Sequence, residues 1–304
     1  MRALVYDPDT VRGVRFDELD EPCPTPSQAL IKVEVASLNF GELAFAARQL
    51  RPGQVFGKDA AGVVVRAAAD GSGPPAGTRV VSFAGTGGWA QMRAVETADL
   101  AAVPDSVELG EAAALPAAGV TALQAVRRLG PVLGRRVLVT GASGGVGRFA
   151  VQLAARAGAH VIASVGRPER AEGLGRLGAA EILTGSALPG NRVFGVLDNV
   201  GGQVLAESLG LLEPGGVVLS IGWASREPTV IDFEEARMRG GHGRIEPFTV
   251  SAPFGPGIAY LLHLLERGEM DSQIGWRASW AKVDEAVEAL LGRRILGKAL
   301  LEVT

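Results

Sequence analysis

The segment RVLVTGASGGVGRFAVQLAAR, residues 136–156, runs from apolar β-branched residues through a cluster of glycines into apolar residues at helical spacing. Its centre reads Ala142-x-Gly144-x-x-Gly147, with further glycines at 141 and 145. A strand, a tight turn and a helix start in that order leave the first helical N–H groups pointing outward, where they can hold a pyrophosphate. In that reading Gly144 leaves a ligand room to approach the backbone. Gly147 lets strand and helix pack closely, and Gly145 and Val146 belong to the first turn over the phosphates. Ala142 puts one methyl group where the first glycine of the dinucleotide fingerprint stands. The other common phosphate loop needs Lys followed by Ser or Thr, and Arg148-Phe149 does not supply it. The competing reading is a tight β–α turn that holds nothing.

The next strand, HVIASVG, ends in Ser164-Val165-Gly166 and is followed by Arg167 and Arg170. An acid at such a strand end accepts from an adenosine ribose hydroxyl, and none is present here. Two arginines instead favour a 2′-phosphate, although Glu169 opposes their field. The expected cofactor is therefore NADPH rather than NADH.

These residues need a scaffold, and the second half of the chain supplies one. RVLVT, HVIASVG, AEILT, VFGVLDNVG and GVVLSIG read as strands. GRFAVQLAARAG, PERAEGLGRLG and GQVLAESLGLLEPG read as helices between them. Strands alternating with helices make a doubly wound parallel sheet of the Rossmann type. RIEPFTV adds a further strand and GIAYLLHLLERGEM an amphipathic helix. The first third differs: ALVY, QALIKVEVASL, DAAGVVVRAA and the segments around RVVSF and WAQMRAVE are short strands between turns. This predicts a compact strand-rich domain. An Ala-rich, largely helical segment, LGEAAALPAAGVTALQAVRRLG, joins the two, and the tail from WAKVDEAVEALL to GKALLEVT reads helix, turn, strand.

At 304 residues the chain has room for two domains. A net charge of -3 and the lack of basic aromatic stripes argue against a nucleic-acid partner. Cys23 is the one cysteine, so there is no internal disulfide and no cysteine cluster for zinc. The N-terminus does not read as a signal peptide and no apolar run reaches membrane-spanning length. The expectation is a cytoplasmic protein without a membrane partner.

The chain resembles the zinc-independent, quinone oxidoreductase-like branch of the medium-chain dehydrogenase/reductase superfamily. SLNFGE (37–42) is similar to its Leu-Asn-Phe/Tyr-x-Asp/Glu motif. FGKDAAGVV (56–64) is similar to its Pro-Gly-x-Asp-x-Ala-Gly-x-Val stretch, with Phe56 in the proline position. LPAAGVTALQAV (115–126), GASGGVG, DNVGG (198–202), EPGG (213–216) and ILGKALLEV follow in the family's order. The resemblance implies a GroES-like catalytic domain over residues 1–112, completed by 275–304. It implies a Rossmann NADP-binding domain over 113–274, with the active site in the cleft between the two.

The resemblance also implies roles for individual residues. Asn39 orients substrate or cofactor beside the nicotinamide, and Phe40 forms apolar wall. Thr121, Asn199, Val200, Gly222, Trp223 and Lys298 contact the cofactor, along with Ala142 to Gly147, Ser164, Gly166, Arg167 and Arg170. Glu42 and Asp59 read as loop supports, and Lys298 reads equally as an exposed edge-strand lysine. Zinc-dependent relatives carry Gly-His-Glu where this chain has Gly57-Lys58-Asp59, and no metal is expected. The widely separated His160, His242 and His263 make no site. Many relatives place a tyrosine near Asn39; here Ala44 stands at that position with Phe45 beside it. The tyrosine that often stacks near the adenosine is replaced by Leu183-Thr184. These features imply hydride transfer to a quinone or an α,β-unsaturated carbonyl. The alternative is an NADPH-binding relative with little turnover that acts as a sensor or structural protein. A homodimer is expected through edge strands of the cofactor domain, with EPFTVSA (246–252) as the candidate edge and Pro247 as its possible guard.

Overall fold

The structure is a computed structural model and describes residues 1–185, 187, 189–238 and 243–304. The chain forms two compact units: Met1–Val120 with Ser251–Thr304, and Thr121–Val250.

The first unit holds β1 (Arg2–Tyr6), β2 (Val14–Glu18), β3 (Gln28–Leu38), β4 (Asp59–Arg66), β5 (Arg79–Phe83), β6 (Met92–Glu96) and β7 (Leu100–Ala102). The second unit contributes the next six strands, and the chain returns to the first with β14 (Ile274–Ser279) and β15 (Lys298–Glu302). β3 organises this unit. One of its edges pairs with β4; along the other, β6 takes residues 28–32 and β15 takes residues 35–38. The full order is β14-β15-β3-β4-β5-β7, with β1 and β2 as a separate hairpin. Inward residues of these strands bury a core around Leu4, Phe56, Trp89, Trp280 and Leu301, and a second around Ile31, Val64, Val80 and Leu100. Short helices α1 (Phe40–Ala44), α2 (Ala46–Gln49) and α3 (Leu109–Ala113) punctuate the strands.

The second unit opens with α4 (Thr121–Leu129) and continues β8 (Arg136–Thr140), α5 (Gly145–Arg156), β9 (His160–Val165), β10 (Ala179–Thr184), β11 (Val193–Asp198), α6 (Gly202–Leu209), β12 (Leu212–Ser220), α7 (Phe233–Met238) and β13 (Arg244–Pro247). All six strands are parallel in the order β10-β9-β8-β11-β12-β13. The order reverses between β8 and β11, and in such sheets ligands bind outside the strand ends at that switch point. Leu138, Ile162, Val196 and Val218 bury the sheet under Leu205 and Leu209 of α6.

The compact units divide at residues 120/121 and 250/251. Residues 113–120 and 251–274 pack with the strand-rich unit. The physical reason lies in α8 (Gly255–Glu266), which precedes α9 (Val283–Leu291). Phe254, at its start, donates its N–H to Asp99 Oδ1 at 2.9 Å and meets the Phe83 ring edge-on at 4.3 Å. Ile258, Leu261 and Leu262 are buried behind it. PERAEGLGRLG is not a helix either: it is one 3-10 turn, Pro168–Ala171, followed by turns. Gly173 and Gly178 take φ of +79° and +103°, which a right-handed helix cannot contain. The helix expected to run to the Pro-Gly of EPGG stops at Leu209, and that motif lies inside β12.

Candidate functional site

In the second unit the glycine loop bridges β8 and α5 as its spacing predicts. A Cβ on Gly147 would lie 2.4 Å from Gly141 O and 2.6 Å from Ala142 Cα, so only glycine permits this closeness of helix and strand. At Gly144 a Cβ would meet only Gly141 O, at an ordinary 3.5 Å. The space above Gly144 is therefore not used by the protein itself. Ala142 is wholly buried, and its N–H donates to Ser164 O at 3.0 Å, which ties the loop to the end of β9. The first intrahelical bond runs from Arg148 N to Gly144 O, and among the described residues nothing accepts from the N–H groups of Gly145, Val146 and Gly147 at the helix start.

The loop after β11 lies against this turn. A Cβ on Gly141 would be 3.3 Å from Asn199 Cβ and from Val200 Cγ2. Asp198, at the end of β11, is wholly buried and fixes the arrangement. Thr140 Oγ1 donates to its Oδ1 at 2.6 Å and Gly201 N to its Oδ2 at 2.8 Å. Burial pushes the Asp198 carboxyl above its ordinary pKa, against the opposing pull of those bonds. Asn199 is held in turn, its Nδ2 donating to Thr140 O at 2.9 Å and its N to Thr140 Oγ1 at 3.1 Å. Gly222 joins from the end of β12: its N donates to Asp198 O, and a Cβ there would come within 2.7 Å of Asn199 O. The half-buried Trp223 follows, its Nε1 donating to Glu227 O at 2.6 Å.

At the end of β9, Ser164 is half-buried and Gly166 and Arg167 are exposed. Arg170 reaches back over the glycine loop, its Nε donating to Ser143 Oγ at 2.8 Å. The structure thus brings together Ala142 to Gly147, Asn199, Val200, Gly222 and Arg170. Thr121 opens α4, which packs along α5, and among the described residues no hydrogen bond joins it to the loop.

The first unit holds a second cluster, at the end of β3. In the strand register Asp59 faces Ser37 and Ala299 faces Leu38, so Asp59 and Lys298 flank the step from Leu38 to Asn39. Asp59 is wholly buried and accepts from four donors: Ser37 Oγ at 3.0 Å, Asn39 Nδ2 at 3.0 Å, Lys298 Nζ at 3.2 Å and Ala117 N at 2.8 Å. Glu42, 4% exposed, accepts from Asn39 N at 2.8 Å through Oε1 and from Lys58 N at 3.1 Å through Oε2. Burial, helped by the Asp59 charge, pushes the Glu42 carboxyl up to about 7. The Asn39 N–H and the charges of Lys58 and Lys298 pull the other way. Lys58 O in turn accepts from the buried Arg93 through Nη2 at 2.8 Å. Asn39 and Phe40 are half-buried, and the Arg293 guanidinium sits 4.7 Å over the Phe40 ring.

Lys298 departs from the edge-strand expectation. β15 lies between β14 and β3, and Lys298 is 2% exposed. Trp89 is also wholly buried, stacked on Phe56 at 5.1 Å with Nε1 donating to Ser37 O, so it belongs to the core. Sequence reasoning passed over Ser37, Arg93, Thr140 and Ser143. Each is a polar residue inside an apolar strand or glycine run, and that was the available signal.

Among the described residues no group of three or more His, Cys, Asp or Glu side chains could hold a metal ion. Cys23 is exposed, His160 pairs with Glu181 at 2.7 Å, His263 is on the surface and His242 lies outside the described residues. No helix among the described residues is long and apolar enough to cross a membrane.

Comparison with known proteins gives the lineage. The family model for the alcohol dehydrogenase GroES-like domain matches residues 25–105, and that for zinc-binding dehydrogenase matches 145–243. The chloroplast envelope quinone oxidoreductase homolog of Arabidopsis thaliana is 37% identical over 201 residues, 60% of each chain. The spectinabilin polyketide synthase system protein NorB of Streptomyces orinoci is 31% identical over 281 residues, 85% of this chain but 12% of that protein. The chain thus spans less than two thirds of either relative. A mycobacterial protein solved in complex with NADPH superposes with a TM-score of 0.87 at 25% identity, over 99% of this chain and all of that one. With a GroES-like strand-rich unit, a Rossmann-like parallel-sheet unit and Lys58 where zinc enzymes carry their histidine, the chain belongs to the medium-chain dehydrogenase/reductase superfamily, in its quinone-oxidoreductase-like branch without catalytic zinc ligands.

Proposed function

We propose that the chain is an NADPH-dependent, zinc-independent reductase that delivers hydride to a quinone or to the β-carbon of an α,β-unsaturated carbonyl. The glycine loop carries this reading. The open space over Gly144, the N–H groups of Gly145 to Gly147 and the Arg170 side chain drawn over Ser143 fit a pyrophosphate with a phosphorylated adenosine beside it. The mycobacterial neighbour and its NADPH support the same choice. Asn199, Val200, Gly222 and Trp223 line the adjoining loops, where they bind and orient the cofactor's nicotinamide half. When bound, the reduced nicotinamide supplies the hydride.

The chain's own contribution is positioning and water exclusion. In a quinone or enone, conjugation spreads the arriving charge onto oxygen, so the reaction does without the Lewis acid that a simple alcohol oxidation uses. Asn39 and Phe40 are the residues of the strand-rich unit that face a ligand. Ala44 offers no hydroxyl where many relatives have a tyrosine, so water protonates the oxygens of a reduced quinone. That same lack supports the second reading, a cofactor-binding sensor or structural protein with little turnover.

Anaerobic assay with a panel of quinones and small enones should give NADPH loss coupled to reduced product. Efficient oxidation of saturated alcohols with no activity on that panel would sink the proposed chemistry, and cofactor binding without any turnover would leave the second reading standing. NADPH should bind more tightly than NADH. Arg170→Ala should weaken NADPH by about 10- to 100-fold, the worth of one charge-assisted bond, and NADH by less. Equal losses for the two cofactors would remove Arg170 from the 2′-phosphate.

We also assign the expected homodimer to β13, the outer strand of the parallel sheet. The strand runs over Arg244–Pro247 and so holds only Glu246 and Pro247 of the predicted edge, 246–252. Light scattering of a dilute sample checks it, and a monomer mass would remove the assignment.

A further inference from the structure

The ammonium of Lys298 has three N–H bonds and meets three oxygens: Asn39 Oδ1 at 2.6 Å, Asp59 Oδ2 at 3.2 Å and Leu38 O at 3.3 Å. With the side chain 2% exposed, nothing of that cation is left over for a ligand. The carboxamide of Asn39 is accounted for in the same way. Its Nδ2 has two N–H bonds and lies 3.0 Å from Asp59 Oδ2 and 3.4 Å from Glu42 Oε1. Its Oδ1 accepts from Lys298, on the same side as the Glu42 N–H that completes the capping box at the start of α1. The reversed amide would set an NH2 group against an ammonium and a carbonyl oxygen against two carboxyl groups. Charge alone therefore selects one orientation of a side chain whose oxygen and nitrogen otherwise look alike.

We propose that Lys298 is a positioning residue: with Asp59 it locks the Asn39 carboxamide in a single orientation, so that both amide N–H bonds stay turned to the carboxyl groups of Asp59 and Glu42, while Lys298 touches no ligand. The inference rests on the reading of Asn39 as ligand-facing. It replaces the role expected for Lys298, a direct contact to the cofactor. A developing oxyanion finds no donor at Asn39, since both N–H bonds of the amide are already taken.

Lys298→Met keeps most of the stem and removes the charge. Lys298→Arg keeps the charge but replaces a compact three-way donor with a planar fork. Three measurements on each variant test the proposal: NADPH affinity by direct titration, turnover, and the NMR signals of the Asn39 side-chain amide, assigned by their loss in Asn39→Ala. With Met the amide signals should shift and broaden, turnover should fall about 10- to 100-fold, and NADPH affinity should stay within about twofold. With Arg the turnover should lie between wild type and Met, again at unchanged affinity.

A cofactor contact would behave differently. Met would weaken NADPH binding, and Arg, the better phosphate ligand, would hold or tighten it. That pattern, or amide signals unmoved in both variants, would overturn the proposal. Should the wild type bind no NADPH, the proposed function falls, yet the amide signals still report whether Lys298 locks Asn39. If Lys298→Met does not fold, the Arg variant alone supplies the same three readouts.

Discussion

Asp59→Ala should lower the unfolding free energy of the strand-rich unit by about 3–5 kcal/mol, and adding Lys298→Met should return part of the loss. The carboxylate is wholly buried and holds four donors, one of them an ammonium that is itself 2% exposed. Taking two charges out of water is costly, and their attraction repays that cost only while both are present. Removal of Asp59 alone strands the Lys298 cation with two neutral oxygens, and Ser37, Asn39 and Ala117 lose their acceptor. The double variant takes away the stranded charge, so its loss should be smaller than the sum of the single losses. Urea denaturation followed by tryptophan fluorescence reads this unit well, because Trp89, Trp276 and Trp280 lie in it and only Trp223 lies in the other. Additive losses, or a single-variant cost under about 1 kcal/mol, would mean that the pair is not energetically coupled.

The contrast between Gly147 and Lys298 shows what the sequence makes legible. Gly147 is readable because the constraint is local: a strand, four residues of turn and a helix determine that a Cβ there has no room. SLNFGE is readable for the same reason, since Asn39 N and Glu42 bond across three residues. Lys298 opens KALLE, a short strand near the chain end, and nothing within that stretch says whether it is an edge. Its burial depends on β14, whose segment IGWRAS pairs outside it through a register irregularity near Trp276. The contact that defines Lys298, to Asn39, spans 259 positions, and no periodicity records such a pairing. Thr140 and Asp198 are alike in this respect: each stands at the end of a plain apolar strand, and their bond depends on β8 and β11 being neighbours at the switch point. The false helix at PERAEGLGRLG is a different failure. Its charged and apolar residues suit a helix, but Gly173 and Gly178 take left-handed conformations, and Arg148 Nη2 donates to Glu172 O where a helix would have spent that carbonyl.

Glu42 provides a test of the buried cluster that needs no ligand. Burial, then the neighbouring Asp59 charge, raises its carboxyl from the ordinary 4.5 to about 7. Between those two values the folded chain keeps a proton on Glu42 that the unfolded chain has released. Stability from this group is therefore greatest in acid and is lost as pH rises from about 4.5 to about 7, after which it levels off. The full shift corresponds to about 3 kcal/mol. Glu42→Gln carries no titrating group at this position, so its stability relative to wild type should improve by about 2–3 kcal/mol between pH 5 and pH 8. The substitution has its own cost. The new amide can accept from Asn39 N only by turning its NH2 toward the Lys58 N–H, and a lost bond of that kind costs about 1 kcal/mol. That cost is the same at every pH, so the change in the difference with pH is the quantity to read. Urea midpoints for both chains at pH 5, 6, 7 and 8 give it directly. A difference that stays flat across that range would mean that Glu42 is ionised throughout, and that the Asn39 N–H, Lys58 and Lys298 outweigh its burial.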